Sequence, residues 1–381
     1  MHHPSRDGAI GRVLDRLAPL APRLVADPQP AGPRSPLRTA KRAWRAVAEG
    51  ATHHLVLQDD VEVCEDFAAH LLSAVQARPD DAIALYVNAD SPSNSYTVRH
   101  AAIVGAPWAA LVPGEFVPTL GLVIPAHLAL ALADFLDTLP DDFRDDDAFV
   151  DLFCRLNDLP VYATVPNLVE HGAGLSAAGN DGHGVRRSAV HLPSWEREAC
   201  YWDEPPAGDR GAPMRAGGSA DPHYAISVRA ATCVVRFLHA TDVHPLRQPC
   251  AAWQLACAVT GSPVDSVLSA LTDHLRTSEG TATAERTAAL GVPARYLVEL
   301  WAAGFLTGAD ATDPEKRPAP WPARPELLRR CRERAVDSWL DAGFLTAVRP
   351  MDRVEARSLL RAFALTAVDR GHGGPSTRSL S

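Results

Sequence analysis

The chain has 381 residues, 46% hydrophobic and 22% charged, which excludes a disordered chain, a collagen-like fibre and a disulfide-laced miniature scaffold. The formal net charge of -9 gives a nucleic acid backbone no broad basic face, so neither DNA nor RNA is expected as the main partner. The seven cysteines are odd in number and form no C-x-x-C pair, which argues against a disulfide framework and a zinc ribbon and for buried thiols in a reducing compartment.

In chain order, Leu14, Leu17 and Leu20 mark a first helix, and Leu24-Val25-Ala26 reads as a brief strand ending at Asp27. The proline-rich run from Asp27 to Pro33 must be a loop, because prolines fix φ and remove donors. A helix over Leu37 to Glu49 precedes His54-Leu55-Val56-Leu57, whose lack of polar alternation suits a strand covered on both faces. Phe67 to Gln76 is predicted helical, Ile83 to Val87 and Phe116 to Ile124 are predicted strands, and a helix starts near Asp145, which is its expected N-cap. A strand at Val161 to Val165 completes the set. This alternation predicts an α/β domain over residues 1–200 with a mostly parallel sheet and helices on both faces.

The most apolar run, Ala126 to Leu136, carries His127 and Asp134 and is too short to span a bilayer; with no signal-like opening, a cytoplasmic location is expected. Residues 201–222 are rich in Pro and Gly and read as a linker or long loop. Residues 223–370 show mainly helical spacing, and 371–381 read as a disordered tail. Two segments there look alike, Trp301 to Thr307 and Trp339 to Thr346, each read as a helix end stopped by Gly.

The segment Gln58-Asp59-Asp60 carries the most chemistry. A buried strand delivers two adjacent carboxylates to its carboxyl end, where ligands bind in open α/β sheets, and their repulsion must be offset by a cation, a helix N-terminus or water. A hard divalent ion bridging a diphosphate fits such a pair, since Mg²⁺ or Mn²⁺ takes one or two protein carboxylates and completes its shell with phosphate oxygens and water. A solvated acidic turn leading into the next helix is the plainer alternative.

The run from Ala40-Lys41-Arg42-Ala43-Trp44 to Gly50, followed by Leu55 to Val61, resembles the GT-A glycosyltransferases, in which a helix with a basic residue precedes a strand ending in a D-x-D-like acidic motif. The later run Val165 to Gly172, with Ser176, Gly179 and Asn180 behind it, resembles the strand and loop by which such enzymes return a histidine to the metal. The resemblance covers about residues 3 to 190 and implies a metal-dependent transferase that moves a sugar from a nucleotide-diphosphate donor to an unidentified acceptor. It implies Asp60 and His171 as ligands of Mn²⁺ or Mg²⁺. Asp59 would face the donor ribose or a metal-bound water, with Gln58 at a position where many members have an acid. Asp27 would accept from the base edge, Lys41 would meet base or phosphate, and Arg6 matches the first βα loop. The chain opens at Met1-His2-His3-Pro4 where GT-A domains begin with a hydrophobic strand.

An inverting transferase needs a carboxylate to take the acceptor proton, and the run Asp145-Asp146-Asp147 offers Asp146 or Asp147 in the role. Acids are also favoured at any helix N-terminus, by roughly 0.3 to 1 kcal/mol each. His183, Arg186 and Arg187 are candidates for a lid over the diphosphate, and Trp108 and Trp195 for sugar stacking or core filling. The rival expectation is a non-catalytic nucleotide-binding scaffold whose helical half binds a partner.

Overall fold

The computed structural model describes residues 1–141, 143, 146–172, 186–196, 198, 200–207, 223–238, 249–260, 262–312 and 324–373. The first half begins with helix α1 (Asp7–Leu17), helix α2 (Pro36–Arg45) and strand β1 (His53–Leu57). Ser35 caps α2 by accepting from the Arg38 N–H at 3.2 Å, and Pro36 follows at the first helical position, where no donor is needed. Strand β2 (Val61–Val63), helix α3 (Phe67–Ala77), strand β3 (Ala82–Ala84), helix α4 (Asn94–Val104), strand β4 (Trp108–Ala110) and strand β5 (Gly121–Pro125) come next. Helix α5 (Ala126–Asp137), helix α6 (Asp147–Leu156), strand β6 (Val161–Thr164) and strand β7 (Val169–His171) complete this half. The apolar run at Ala126 is therefore α5, amphipathic, with Ala129, Leu132, Ala133 and Leu136 in the core.

The α/β class holds, but the central sheet is mixed rather than mostly parallel. Its order is β1-β5-β3-β6-β4, and only β3 and β6 run parallel; β1–β5, β3–β5 and β4–β6 are antiparallel. The N-terminal segment widens this sheet beyond β1. His2 forms a parallel bridge to Ala26, donating to the Val25 carbonyl and accepting from the Asp27 N–H at 2.9 Å each, while the Met1 nitrogen donates to the Leu57 carbonyl.

The second half is not only helical. Strands β8 (His223–Arg229), β9 (Thr232–Leu238) and β10 (Cys250–Ala252) form an antiparallel sheet. The β8–β9 turn escapes sequence reading because Ala230 and Ala231 hold the left-handed conformation, φ 47° and 57°, that Asn-Gly usually signals. Helices α7 (Trp253–Thr260), α8 (Val264–Leu275), α9 (Ser278–Ala289), α10 (Ala294–Asp310), α11 (Pro325–Trp339) and α12 (Arg353–His372) follow. The two look-alike segments are not a repeat. Trp301 to Thr307 lies inside α10, where Gly304 and Gly308 let α12 approach so closely that a Cβ on Gly308 would sit 2.0 Å from the Val368 carbonyl oxygen. Trp339, by contrast, ends α11 at a kink where Gly343 has φ 121°.

The boundary between the halves also moves. Within the expected linker, Tyr201, Trp202 and Ala207 are buried on the first core, with the Trp108 indole N–H donating to the Trp202 carbonyl at 2.8 Å. The rest of that segment, 208–222, and 374–381 of the expected tail lie outside the described residues, as does Asp145; Gly371 and His372 of that tail are the end of α12, and the N-cap of α6 is Asp146. Trp108 and Trp195 are core residues, the latter against the His70 ring at 4.2 Å. Cys64 is the expected buried thiol, pushed by burial up to about 12.

Helix α4 joins the halves. It is buried from Asn94 through Ile103, its Tyr96 belongs to the second core, and Cys331 and Ala335 of α11 belong to the first. Arg99 is buried between them and donates to Ser338 Oγ (2.8 Å), Ser95 Oγ (2.8 Å) and the Ala89 carbonyl (2.6 Å). The Tyr96 and Tyr224 hydroxyls both donate to Asp310. The N-terminus of α4 is held by Glu115, 1% exposed, which accepts from the Ser91 hydroxyl and from the Ser93 and Asn94 N–H groups.

Burial pushes the Glu115 carboxyl up to about 7 in spite of these donors. A raised carboxyl binds its proton more tightly folded than unfolded, so its contribution to stability is complete below the usual value of 4.5 and is lost as pH rises through about 7. The wild type is expected to lose stability between those limits, and Glu115→Gln to flatten that part of the curve. Urea unfolding at half-unit pH steps checks this.

Candidate active site

The site forms where β1 ends. Asp59 and Asp60 leave the sheet there, and the β2–β7 ladder, with Val61 opposite His171, returns His171 to the same place. The Gly172 N–H donates to the Asp60 carbonyl at 2.7 Å, and a Cβ on Gly172 would lie 3.0 Å from that oxygen, so a larger residue would have to push the two segments slightly apart.

Asp59 is 8% exposed and well satisfied. One oxygen accepts from the His3 N–H at 2.7 Å and lies 3.2 Å from His2 Nδ1; the other accepts from the Arg6 guanidinium at 2.7 Å. The same Arg6 nitrogen reaches Asp60 Oδ2 at 2.8 Å, so one guanidinium bridges both acids. Asp60 Oδ2 also faces His171 Nε2 at 3.3 Å, while Asp60 Oδ1 is buried with no hydrogen-bond partner among the described residues. Burial opposes ionisation of Asp60 but is outweighed by the hydrogen bonds and charges of His171 and Arg6, which hold its carboxyl at about 2.

His171 Nδ1 lies 2.6 Å from the Gly172 carbonyl, which can only accept, so this nitrogen carries a proton. Nε2 stands between Arg186 Nη1 at 2.9 Å and Asp60 Oδ2 at 3.3 Å: with a proton it donates to Asp60, and without one it turns its lone pair to Arg186 or to a cation. Arg186 is itself held by Tyr86, whose hydroxyl donates to the Arg186 carbonyl at 2.7 Å, a support that no motif announces. Arg187 is exposed; His183, Ser176, Gly179 and Asn180 lie outside the described residues.

Gln58 joins the acids to α6. Its amide donates to Thr119 Oγ1 at 3.3 Å, and the Thr119 hydroxyl donates to Asp146 Oδ1 at 3.0 Å. Asp146 is buried, whereas Asp147 is partly exposed and turns one oxygen onto the Ala148 N–H at 2.8 Å. Thr119 has no motif of its own; it is found only once β5 is laid against β1.

Two expected donor contacts are built differently. Asp27 forms a bidentate pair with Arg38, both contacts 2.9 Å, and also accepts from the Gln29 N–H. Burial opposes its ionisation and Arg38 more than compensates, so Asp27 orders the proline-rich loop and both its oxygens are engaged. Lys41 donates to the Leu139 carbonyl and to Asp141, each at 2.6 Å, tying α2 to the turn after α5. It lines a groove of about 530 Å³ with Leu24, Ala26, Arg42 and Arg45, and none of Asp59, Asp60 and His171 lines that groove. Arg6, Gln58, Asp59, Asp60, His171 and Asp146 are therefore drawn together, and Asp27 and Lys41 are engaged elsewhere.

For a divalent cation the donor set fits in part. Asp60 supplies a buried oxygen without a partner and His171 a ring nitrogen of suitable tautomer, which with diphosphate oxygens and water make a shell for Mn²⁺ or Mg²⁺. Among the described residues no group of three or more His, Cys, Asp or Glu is placed to hold a metal by itself, so water and substrate oxygens would complete the shell. No helix among them is long and apolar enough to cross a membrane.

No protein-family model, curated protein or solved structure matches the chain.

Replacing Arg38 by Ala should leave Asp27 without its guanidinium and destabilise the fold by about 3 to 5 kcal/mol if the pair behaves as a buried one. Affinity for nucleotides should be unchanged in the folded protein. Denaturant unfolding with calorimetric titration of nucleoside diphosphates measures both quantities.

Proposed function

We propose that the chain is a glycosyltransferase of GT-A type that moves a sugar from a nucleotide-diphosphate donor to an acceptor hydroxyl, assisted by Mn²⁺ or Mg²⁺. The observation that supports this most is the convergence of Asp59, Asp60, Arg6 and His171 at the end of β1, with a buried Asp60 oxygen lacking a partner. Adjacent carboxylates raise the energy of a fold unless they are used, and this arrangement is electrostatically suited to a ligand that is itself anionic and carries a cation.

In this reading Asp60 and His171 hold the ion, which when bound neutralises the leaving diphosphate. Asp59, clamped by His2 and His3, lies at the base of the donor site and orients the ribose or a bound water. Arg186 supplies a second positive group beside His171 for phosphate oxygens. The acceptor hydroxyl loses its proton to Asp146 as it attacks the anomeric carbon, and Thr119 and Gln58 fix the position of that carboxylate relative to the acids. Asp146 is preferred to Asp147 because its carboxylate is joined through the Thr119 hydroxyl to Gln58, while Asp147 is partly exposed and accepts from the Ala148 N–H.

Calorimetry and thermal-shift scans with UDP, GDP, CMP and dTDP sugars, with Mn²⁺ and with EDTA, test the reading. A ligand at 100 times its dissociation constant should stabilise the protein by roughly 2.7 kcal/mol. Asp146→Asn should abolish transfer while leaving donor affinity within about threefold, and Asp147→Asn should retain transfer; equal loss in both would remove the assignment of the base. Failure of the intact chain to bind any nucleotide sugar in Mn²⁺ would favour the scaffold.

A further inference from the structure

The Arg6 guanidinium stands where a cation bound by the acidic pair would stand. A single nitrogen lies 2.7 Å from Asp59 Oδ1 and 2.8 Å from Asp60 Oδ2, and the side chain is largely buried. A divalent ion held between Asp60 and His171 Nε2, which faces the same Oδ2 at 3.3 Å, would lie beside that guanidinium, and in a site shielded from water two cations at such separation repel strongly. We infer that Arg6 is a built-in counter-ion which the divalent cation must displace, so that metal binding and release of Arg6 from Asp60 are one event.

The local chain is suited to this. Arg6 is the last residue of a single 3-10 turn, Pro4–Arg6, and the N-cap of α1, with no side-chain cap bond to hold it there. Its long side chain can swing while Asp59 stays fixed by His3 and His2. Among the described residues no backbone N–H reaches either Asp60 carboxylate oxygen and Oδ1 has no partner, so Asp60 is the member of the pair that can exchange one cation for another. The exchange also keeps charge in balance: the cation arrives with a diphosphate, and the freed guanidinium supplies positive charge for that anion. Without such a device two buried carboxylates would be uncompensated whenever no donor is present.

The inference rests on the metal-assisted reading above and concerns Arg6 alone. Its test is Mn²⁺ binding without nucleotide, followed by the loss of the free-ion electron paramagnetic resonance signal in wild type, Arg6→Ala, Arg6→Gln and the double variant Arg6→Ala/Asp60→Asn. Arg6→Ala should bind Mn²⁺ at least tenfold more tightly than wild type, and the double variant should lose that gain. Thermal melting supplies a second readout: Arg6→Ala should melt below wild type in EDTA and recover more than wild type does on adding Mn²⁺. Should Arg6→Ala fail to fold, Arg6→Gln, which keeps a donor and removes the charge, should show the same tightening. Equal Mn²⁺ affinity in wild type and the charge-removed variants, or weaker binding in them, would overturn the inference. The donor scan then shows whether the glycosyltransferase reading falls with it: nucleotide-sugar binding that persists with equal Mn²⁺ affinities leaves that reading standing without the exchange.

Discussion

Two carboxylates that are adjacent in sequence and largely withdrawn from water impose the constraint around which the first half is arranged. Asp59 and Asp60 cannot both be charged at the end of β1 unless donors and positive groups converge on them, and the chain brings these from two separate places. His2, the His3 N–H and Arg6 come from the extreme N-terminus, which is held in the sheet between Ala26 and Leu57. His171 comes from β7, more than 100 residues on, and is placed by pairing with the strand that continues from the acids. The β2–β7 ladder, the glycine at 172 and the His2–Ala26 bridge share one electrostatic purpose.

A second set of buried polar groups fixes how the two halves meet. Helix α4 carries Arg99, Tyr96 and His100 into the seam, and each is surrounded by side chains from both halves or by carbonyl oxygens. Burial draws the Arg99 guanidinium down to about 10, yet its hydrogen bonds go to neutral oxygens, which makes the seam specific in geometry without a compensating buried carboxylate hydrogen-bonded to it. Because α4 also follows the Ser91–Ser93 turn gripped by Glu115, the protonation of one carboxyl bears on the packing between halves. Helix α4 of the first half is thus covered by α11 and β8 of the second.

What could be read in the sequence was local. His54 to Leu57 announces a buried strand, and Gln58-Asp59-Asp60 announces a charge problem at its end; both stand in the structure where periodicity and chemistry place them. The direction of the strands could not be read, since nothing in Gly121 to Pro125 says whether it runs with or against His53 to Leu57. Ala230-Ala231 hid a hairpin because alanine seldom takes the left-handed conformation. Asp27 and Lys41 carried no sign of their partners, Arg38 and Asp141, because ion pairs depend on loop paths. Thr119 and Glu115 were invisible for the converse reason: each is a single polar residue whose role arises from what the fold sets beside it.

The central claim is that the end of β1 is a cation and diphosphate site whose resting charge is balanced by Arg6. Anomalous diffraction at the manganese edge, from crystals grown with Mn²⁺ and a nucleoside diphosphate, addresses it most directly. The account predicts one strong peak at coordination distance from Asp60 and His171 Nε2, with the Arg6 guanidinium moved off Asp60 and toward the diphosphate. A bound nucleotide with no peak at Asp60, or a peak there with Arg6 still bridging Asp59 and Asp60, would contradict it.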